Sequence, residues 1–443
     1  MLLSLLEQKK YREIRKNLDD MNVVDIAGFI QQIEDDPRVV IVFRLLTKEQ
    51  SAEVFAYLDN DLREIIVNSL TDKELRGIID KSFLDDTVDF IEEMPASIVK
   101  RVISAADNET RRHINQLLMY PEDSAGSLMT IELMELDSSW TVDIAIKEVR
   151  ARSAEMESIS NLFITDAARH LAGTIELRDL LAARDNQTVG DLMDKDIIST
   201  TTHEDQALVA DKFKKYDLES MPVVDNEDRL VGIITIDDVV DVMEEETTED
   251  IYKMAAIQPI EDSYMDTSVF TLAKKRFAWL AVLMLSATLT GMIIEKFQNA
   301  LLINVILASF IPMLMDTGGN AGSQSSVSVI RAAVLGEIRF KDFFRVIWKE
   351  FCVGVITGVG IAVINFVRVI AFGGEFIIAL TVSITVFCTI ILAKFIGGML
   401  PLLAEKIKID PAVMASPLIT TIVDALVLLL YFNIASAMIP GIR

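Results

Sequence analysis

"PMLMDTGGNAGSQSS" (residues 312–326) follows a nearly unbroken apolar run and carries one carboxylate, three glycines and a row of amides and hydroxyls, with no aromatic ring. How so polar a stretch lies beside membrane-grade sequence decides whether the chain merely sits in a bilayer or carries something through it. Pro312 lacks the amide donor a helix interior needs, so it is expected to interrupt the ladder and free the carbonyl of Ala308. Gly318, Gly319 and Gly322 remove side chains and let a neighbouring helix approach closely. Asn320, Ser323, Gln324 and Ser325 can bond between helices or line a wet cavity. Irregular backbone at membrane depth is tolerated only where protein or water covers it, so the stretch is expected to face the interior of a helix bundle. Packing alone explains the glycines; it explains the adjacent amides less well.

The flanking sequence supports a bundle. Phe277 to Ile294 is free of charge over 18 residues, about enough for a helix to cross a hydrocarbon core of roughly 30 Å. Residues 297–330 carry only Asp316, 351–374 only Arg368, 376–404 only Lys394 and 411–442 only Asp424. Five spans are therefore expected. Lys274, Lys275, Arg276, Arg331, Arg339, Lys341, Arg345, Lys349, Lys394, Lys406 and Lys408 fall on one side, against Lys296, Arg368 and Arg443 on the other. The excess of basic residues predicts a cytoplasmic amino terminus and, after five crossings, a carboxyl terminus outside. Arg368 is expected to snorkel to the interface.

An aspartate at the centre of a membrane helix costs about 2.5 to 3.5 kcal/mol on insertion scales, so each one asks for a role. Asp424 is the strongest case: it lies in "SPLITTIVDALVLLLYF" (416–432), with Thr420 and Thr421 on its own face one turn earlier. A protonated aspartate bonded to a helix carbonyl is the plain alternative. A two-fold dimer would bring two copies of Asp424 together, and a shared cation would relieve their repulsion. Magnesium suits such a place, because it gives up water reluctantly and is held by one or two carboxylates through its hydration shell. Asp410 with Pro411 starts a helix, and Pro417 is expected to free the carbonyl of Val413 near the cytoplasmic end.

The charge of the chain is segregated. Residues 1–265 hold 57 acidic and 28 basic side chains, residues 266–443 hold 10 and 14. A strongly acidic soluble part repels nucleic acid and anionic lipid and attracts cations, so no nucleic-acid partner is expected. Cys352 and Cys388 lie in apolar segments and read as small buried hydrophobes; His113, His170 and His203 are far apart and form no zinc pattern. The opening "MLLSLLEQKKYREIRK" has too short an apolar core and no cleavage site and does not read as a signal peptide, so the first domain is expected to stay in the cytoplasm.

Residues 20–120 repeat apolar-acidic phrases, "DIAGFIQQIEDD", "SAEVFAYLDND" and "DTVDFIEEMP", as a superhelical stack of short helices would. From 126 to 245 β-branched runs alternate with turns: "MPVVD" (221–225), "NEDR" (226–229) and "LVGIITIDDVVDVM" (230–243) read as strand, turn, strand and helix. "SLMT" (127–130) repeats as "DLMD" (191–194), and "GTIELRDLL" (173–181) as "GIITIDDVV" (232–240). This resembles a tandem pair of cystathionine β-synthase (CBS) domains, which bind adenosine ligands such as ATP or act as ion-sensing dimer modules. The second copy keeps the family's hydroxyl and acid at Thr235 and Asp238, the nucleotide-contact positions; the first has Glu176 instead. Between this module and the first span, Ile251, Met254, Ala255 and Gln258 predict a connecting helix with acids at its start, which complement the helix dipole, and Pro259 near its end.

Taken in order, the acidic helical domain, the CBS pair, the connecting helix, the spans and the phrases "YPEDSAGSLMT" (120–130), "TEDIYKMA" (248–255) and "IPMLMDTGGNAGSQS" (311–325) resemble the MgtE family of magnesium channels over essentially the whole chain. The resemblance implies a multidomain membrane protein: an α-helical superhelical N-terminal domain (1–125), α+β tandem CBS domains (126–243), a connecting plug helix (244–270) and a five-helix transmembrane domain (271–443). It implies a homodimer in the plasma membrane, not an enzyme, with hydrated Mg2+ held at Asp424 and with Asp410 and Ser416 flanking the cytoplasmic mouth. Many relatives carry Asn where this chain has Ser416. The family's regulatory magnesium ligands carry over to Asp205, Asp217, Asp238, Asp241, Glu246, Glu249 and Asp250, and on a looser alignment to Asp85 and Asp89; Ala207 replaces an acid of some relatives. The Asp316 position is often uncharged in relatives, which argues against Asp316 as the selectivity residue. The pore wall is then Gly318, Gly319, Asn320 and Gln324.

No phosphate-binding loop or phosphorylation motif is visible, so uptake is expected to run on the membrane potential. A divalent ion gains about 4.6 kcal/mol per 100 mV, roughly a few-thousandfold gradient. Two other readings remain: a membrane-anchored CBS sensor of magnesium or nucleotide that conducts nothing, and a carrier for cobalt or manganese. The spans contain no His and two scattered Cys, which are poor ligands for a strong transition-metal preference.

Overall fold

Short helices dominate the first hundred residues because capping residues recur every ten or so positions. Thr47 with Gln50 and Thr71 with Glu74 form reciprocal capping boxes, and Asp107 accepts from the amides of Glu109 and Thr110. In the computed structural model, which describes residues 2–33, 36–92, 94–260, 264–265, 267–407, 409–414 and 416–440, they give ten helices among the described residues. These are α1 (Leu2–Glu7), α2 (Tyr11–Asp19), α3 (Val23–Gln31), α4 (Asp36–Phe43), α5 (Lys48–Ala56), α6 (Asn60–Ser69), α7 (Asp72–Ile79), α8 (Leu84–Glu92), α9 (Ala96–Ala105) and α10 (Asn108–Leu117). From α3 onward most pack on the helix two places along, α3 on α5, α4 on α6, α5 on α7, α7 on α9 and α8 on α10, while α6 packs on α9. That stepping is the superhelical stack expected from the repeated phrases.

The CBS region follows with β1 (Leu133–Asp137), α11 (Val142–Arg152), β2 (Ser158–Thr165), β3 (Leu171–Glu176), α12 (Leu177–Ala182), α13 (Val189–Leu192), β4 (Thr200–Thr201), α14 (Gln206–Tyr216), β5 (Ser220–Val224), β6 (Leu230–Thr235) and α15 (Ile236–Met254). Each copy is a three-stranded sheet, β1-β2-β3 and β4-β5-β6, with one parallel and one antiparallel pairing. The repeated phrases cross over between copies. Thr130 pairs with Ile233 and Asp194 with Thr174, so each copy's leading segment completes the other's sheet. Gly232 and Gly173 begin the repeated motifs for a packing reason: a Cβ on Gly232 would stand 2.7 Å from the Met129 sulfur, and one on Gly173 2.5 Å from that of Met193. Two compact units result, Met1–Glu244 and Glu245–Arg443.

The second unit contains α16 (Val269–Lys296), α17 (Gln298–Ile303), a 3-10 turn (Val305–Phe310), α18 (Ile311–Val334), α19 (Phe343–Ala371), α20 (Phe376–Lys406), a 3-10 turn (Pro411–Met414) and α21 (Ser416–Met438). α20 is central and packs on α18, α19 and α21; α16 lies against α21. Phe297 stacks on Phe432 at 4.7 Å, and the buried Tyr431 hydroxyl donates to the Leu307 carbonyl at 2.9 Å. Among the described residues four helical segments are long and apolar enough to cross a membrane: Val269–Lys296, Phe340–Ala371, Phe376–Lys406 and Pro411–Met438.

Four sequence expectations change here. The uncharged run 297–330 is not one span: it breaks into α17, a 3-10 turn and α18, and α18, whose polar residues dilute its hydropathy, is not among the four. Pro312 and Pro417 do not interrupt helices; each lies in the first turn of one, where the missing amide donor costs nothing. The connecting helix is not separate from the last CBS helix, since α15 runs unbroken over 19 residues and ends four residues before Gln258, the last residue of the expected spacing. Lys394 is not an interfacial flank but is buried, at 6 % exposure. Lys408 and Arg443, used for orientation, lie outside the described residues.

Candidate ion pathway and acidic sensor site

Helices α18 and α21 run antiparallel and close because glycine leaves room for the partner. A Cβ on Gly322 would come within 2.8 Å of Ile419, one on Gly319 within 2.9 Å of Thr420, and one on Gly318 within 2.9 Å of Val423. Gly318, Gly319 and Gly322 are buried, as the close-approach reading of the glycines requires. The Asp424 carboxylate is half-buried on α21, and its Oδ1 is shielded from solvent with no hydrogen-bond partner among the described residues. Thr421 donates to the Pro417 carbonyl at 3.0 Å. Thr420 turns its methyl to Gly319. The side chain of Ser416 lies outside the described residues.

The polar side of α18 has a different fate from the glycines. Pro312, Asp316, Asn320, Gln324 and Ser328, spaced four apart, form one exposed stripe of the single chain. The expectation that the whole stretch turns inward thus holds for the glycine face and not for Asn320 and Gln324. On the buried side, Ser325 donates to Glu350 of α19, Lys394 of α20 donates to the Ser325 hydroxyl at 3.4 Å, and Ser326 donates to the Met414 carbonyl at 3.0 Å. A Cβ on Gly397 would overlap the Gly322 carbonyl. Exposed Arg368 donates to Asn365 at 2.9 Å, which donates to Ser383 at 3.1 Å.

Asp410 follows α20, and its Oδ1 accepts from the Ala412 amide at 2.8 Å. Its Oδ2 receives the Lys253 ammonium of α15 at 2.8 Å, and Lys253 also reaches Glu249 at 2.9 Å. Burial alone would ease the proton off Lys253, but the two carboxylates hold it on and raise its affinity above the ordinary lysine value. Asp250, by burial and by the Asp410 charge, is raised above the usual carboxylate range. The segment after α15 is tacked to α16: Lys275 donates to the Pro259 carbonyl at 2.8 Å. Sequence reading did not single out Lys253; its signal was the Glu249–Lys253 spacing of four.

In the first unit the expected Asp85 and Asp238 come together with acids that sequence reading missed, Glu157 above all. Asp85 is 6 % exposed. Its carboxyl is raised well above its ordinary value by burial and by Asp238, Glu157 and Asp86. Burial and the charges of Asp86, Asp238, Asp237 and Glu132 push Glu157 to about 8, and burial with Asp237 and Asp86 pushes Asp238 to about 7. The Glu157 Oε2 is buried without a partner among the described residues. Glu132 is occupied: it accepts from the Leu84 amide at 3.0 Å and from Thr130 at 2.8 Å. Asp89, one turn beyond Asp85 on α8, is exposed.

Among the described residues no three His, Cys, Asp or Glu side chains stand close enough to ligate one bare metal ion. The crowded carboxylates and the orphaned Glu157 oxygen fit a hydrated cation held through its waters. A phosphate there would meet several carboxylates. Thr235 donates to Asp238 at 2.9 Å, so the expected nucleotide positions bond to each other within an acidic neighbourhood that favours a cation. The other expected regulatory acids are spread out. Asp205 caps the start of α14 by accepting from the Ala207 amide at 3.0 Å, and Asp217 ends the same helix with φ 51°. These residues are about 18 Å apart at the rise of a helix, too far to share an ion within one chain. Asp241 is raised by burial, Glu244 and Asp237; Glu246 and Glu249 line α15 further along.

Helical stack, paired CBS sheets and long apolar helices define a multi-pass membrane protein with a large soluble regulatory unit. Family models match at residues 21–123 (MgtE intracellular N domain), 189–245 (CBS domain) and 311–434 (MgtE, divalent cation transporter). The chain is 31% identical to "Magnesium transporter MgtE" of Thermus thermophilus, over 100% of this chain and 98% of that one, and 31% identical to "Magnesium transporter MgtE" of Bacillus subtilis, over 100% and 97%. A solved structure, the cytosolic domain of the Mg2+ channel MgtE in complex with ATP, is similar with a TM-score of 0.52 at 31% identity, covering 55% of this chain and 100% of that one. The chain belongs to the MgtE family, a family of transporters and not of enzymes.

Proposed function

We propose that the chain is a magnesium-selective uptake channel of the plasma membrane, a homodimer driven by the electrochemical gradient and closed by cytosolic magnesium. The observation that carries this reading is Asp424: a carboxylate oxygen shielded and without a partner among the described residues, on a helix long and apolar enough to span a bilayer, beside a glycine-lined contact. Such an oxygen is costly unless a cation or a proton meets it. A hydrated magnesium ion exchanged between Asp424 carboxylates and the Thr420 and Thr421 region supplies that partner without full dehydration. In this reading α18 is the fifth span, with its exposed polar stripe facing the water path. The excess of Lys and Arg at one end of the spans then puts the amino terminus inside and the carboxyl terminus outside.

Gating follows from linkage. The Asp85, Glu157 and Asp238 carboxylates repel when ionised, so the unit they belong to comes under electrostatic strain as pH rises through about 7 to 8. Bound magnesium would neutralise that strain and favour the compact arrangement, and α15, with Lys253 on Asp410, then holds the cytoplasmic mouth shut. Several weak sites together supply the few kcal/mol a two-state gate needs. Magnesium and cobalt flux into proteoliposomes tests the channel reading: Asp424→Ala is expected to abolish magnesium flux, and unchanged flux would leave a non-conducting sensor as the better reading. Proteolysis across residues 244–262 tests the gate, with slower cutting expected in millimolar magnesium.

A further inference from the structure

We infer that Asp316 is a second carboxylate of the ion path, set level with Asp424, which raises the local concentration of divalent cations without being the selectivity residue. The inference rests on the channel reading and deepens it. Its basis is register. Across the antiparallel contact Gly319 meets Thr420 and Gly322 meets Ile419. One turn from Gly319 toward the start of α18 is Asp316; one turn from Thr420 toward the end of α21 is Asp424. The two carboxylates therefore lie at the same level of the two helices.

Two further observations point to water and ions there rather than lipid. Asp316 is exposed at the head of the stripe it shares with Asn320, Gln324 and Ser328, a polar row that hydrocarbon does not solvate. On the packed side of the same level, Thr389 of α20 touches Gly318 and is fully buried, and its hydroxyl lacks a partner among the described residues. Among the described residues Asp316 makes no hydrogen bond or ion pair that would explain a carboxylate, whereas a hydrated divalent ion beside Asp424 uses both charges. The chemistry recognised is that of a hard, hydrated divalent cation, bonded through its water to acceptor oxygens on two helices.

The test is magnesium uptake by the full-length protein in proteoliposomes at low ionic strength, comparing wild type, Asp316→Asn, Asp316→Glu and Asp424→Asn. Loss of one carboxylate about 8 Å from a divalent ion in a watery path is expected to raise the half-saturating magnesium concentration about fivefold. The shift should shrink when ionic strength is raised to physiological values. Asp316→Glu should stay near wild type, because it keeps the charge. An unchanged half-saturation in Asp316→Asn, or equal damage in the Asn and Glu variants, overturns the inference while the loss of flux in Asp424→Asn leaves the channel reading standing. Undiminished flux in Asp424→Asn overturns the channel reading, and this inference with it.

Discussion

Lys253 shows how much one side chain decides. Its ammonium sits on Asp410, a residue the family resemblance places at the cytoplasmic mouth, so a tethered cation occupies a carboxylate that a mobile one would otherwise meet. Lys253→Met removes that latch. The side chains are 25% and 33% exposed, so the pair is partly solvated and discounted to about 1 kcal/mol, or about a fivefold change in the closed-to-open ratio. The expected outcome is faster magnesium flux at high internal magnesium with little change when internal magnesium is absent; identical flux under both conditions would refute the latch. Half of this was legible in "TEDIYKMA", where Glu249 and Lys253 share a helix face. The other half was not, because Asp410 lies 157 residues away and no local pattern announces a long-range ion pair. Glu157 escaped for the same reason: it gains meaning only when the fold sets it against Asp86 and Asp238.

Helices were legible where composition is monotonous and obscured where it is mixed. The four apolar segments are evident from long runs with few charges, whereas α18 merges with α17 because residues 297–330 carry no charge apart from Asp316. Its glycines and its polar stripe encode two faces, one for protein and one left open, and a linear count cannot separate them. Within the packed face, Lys394 and Glu350 meet through Ser325 and join α18, α19 and α20. Lys394 is buried and Glu350 half-buried, and removing one of two charges linked through a shared hydroxyl leaves the other uncompensated, which costs more than replacing both. Lys394→Met alone should therefore lower the melting temperature of the detergent-solubilised protein clearly, and Lys394→Met with Glu350→Gln should recover most of the loss. Additive losses in the double variant would show that the two charges do not interact.

For the whole molecule the acidity of the soluble part becomes a pH-dependent demand for cations. Glu157 at about 8 and Asp238 at about 7 bind protons more tightly in the folded chain than the usual carboxylate does. The folded state thus keeps protons that the unfolded chain has released, so their contribution to stability is complete below the ordinary values of 4.5 and 3.8 and is lost as pH rises through about 7 to 8. Magnesium competes with those protons for the same oxygens, and its stabilising effect should grow over the window in which proton binding fails. A hundredfold excess over the dissociation constant stabilises a folded unit by about 2.7 kcal/mol, or about 5 to 10 °C for a unit of this size. Trp140 reports on the first unit once Trp279 and Trp348 are replaced by Phe. Its thermal transition should rise with magnesium at pH 8.5 and move little at pH 6, and Glu157→Gln should stabilise the magnesium-free protein at pH 8.5 while weakening the response to the ion. A magnesium response equal at both pH values would separate the acid cluster from magnesium sensing and leave the acids of α15 to account for it.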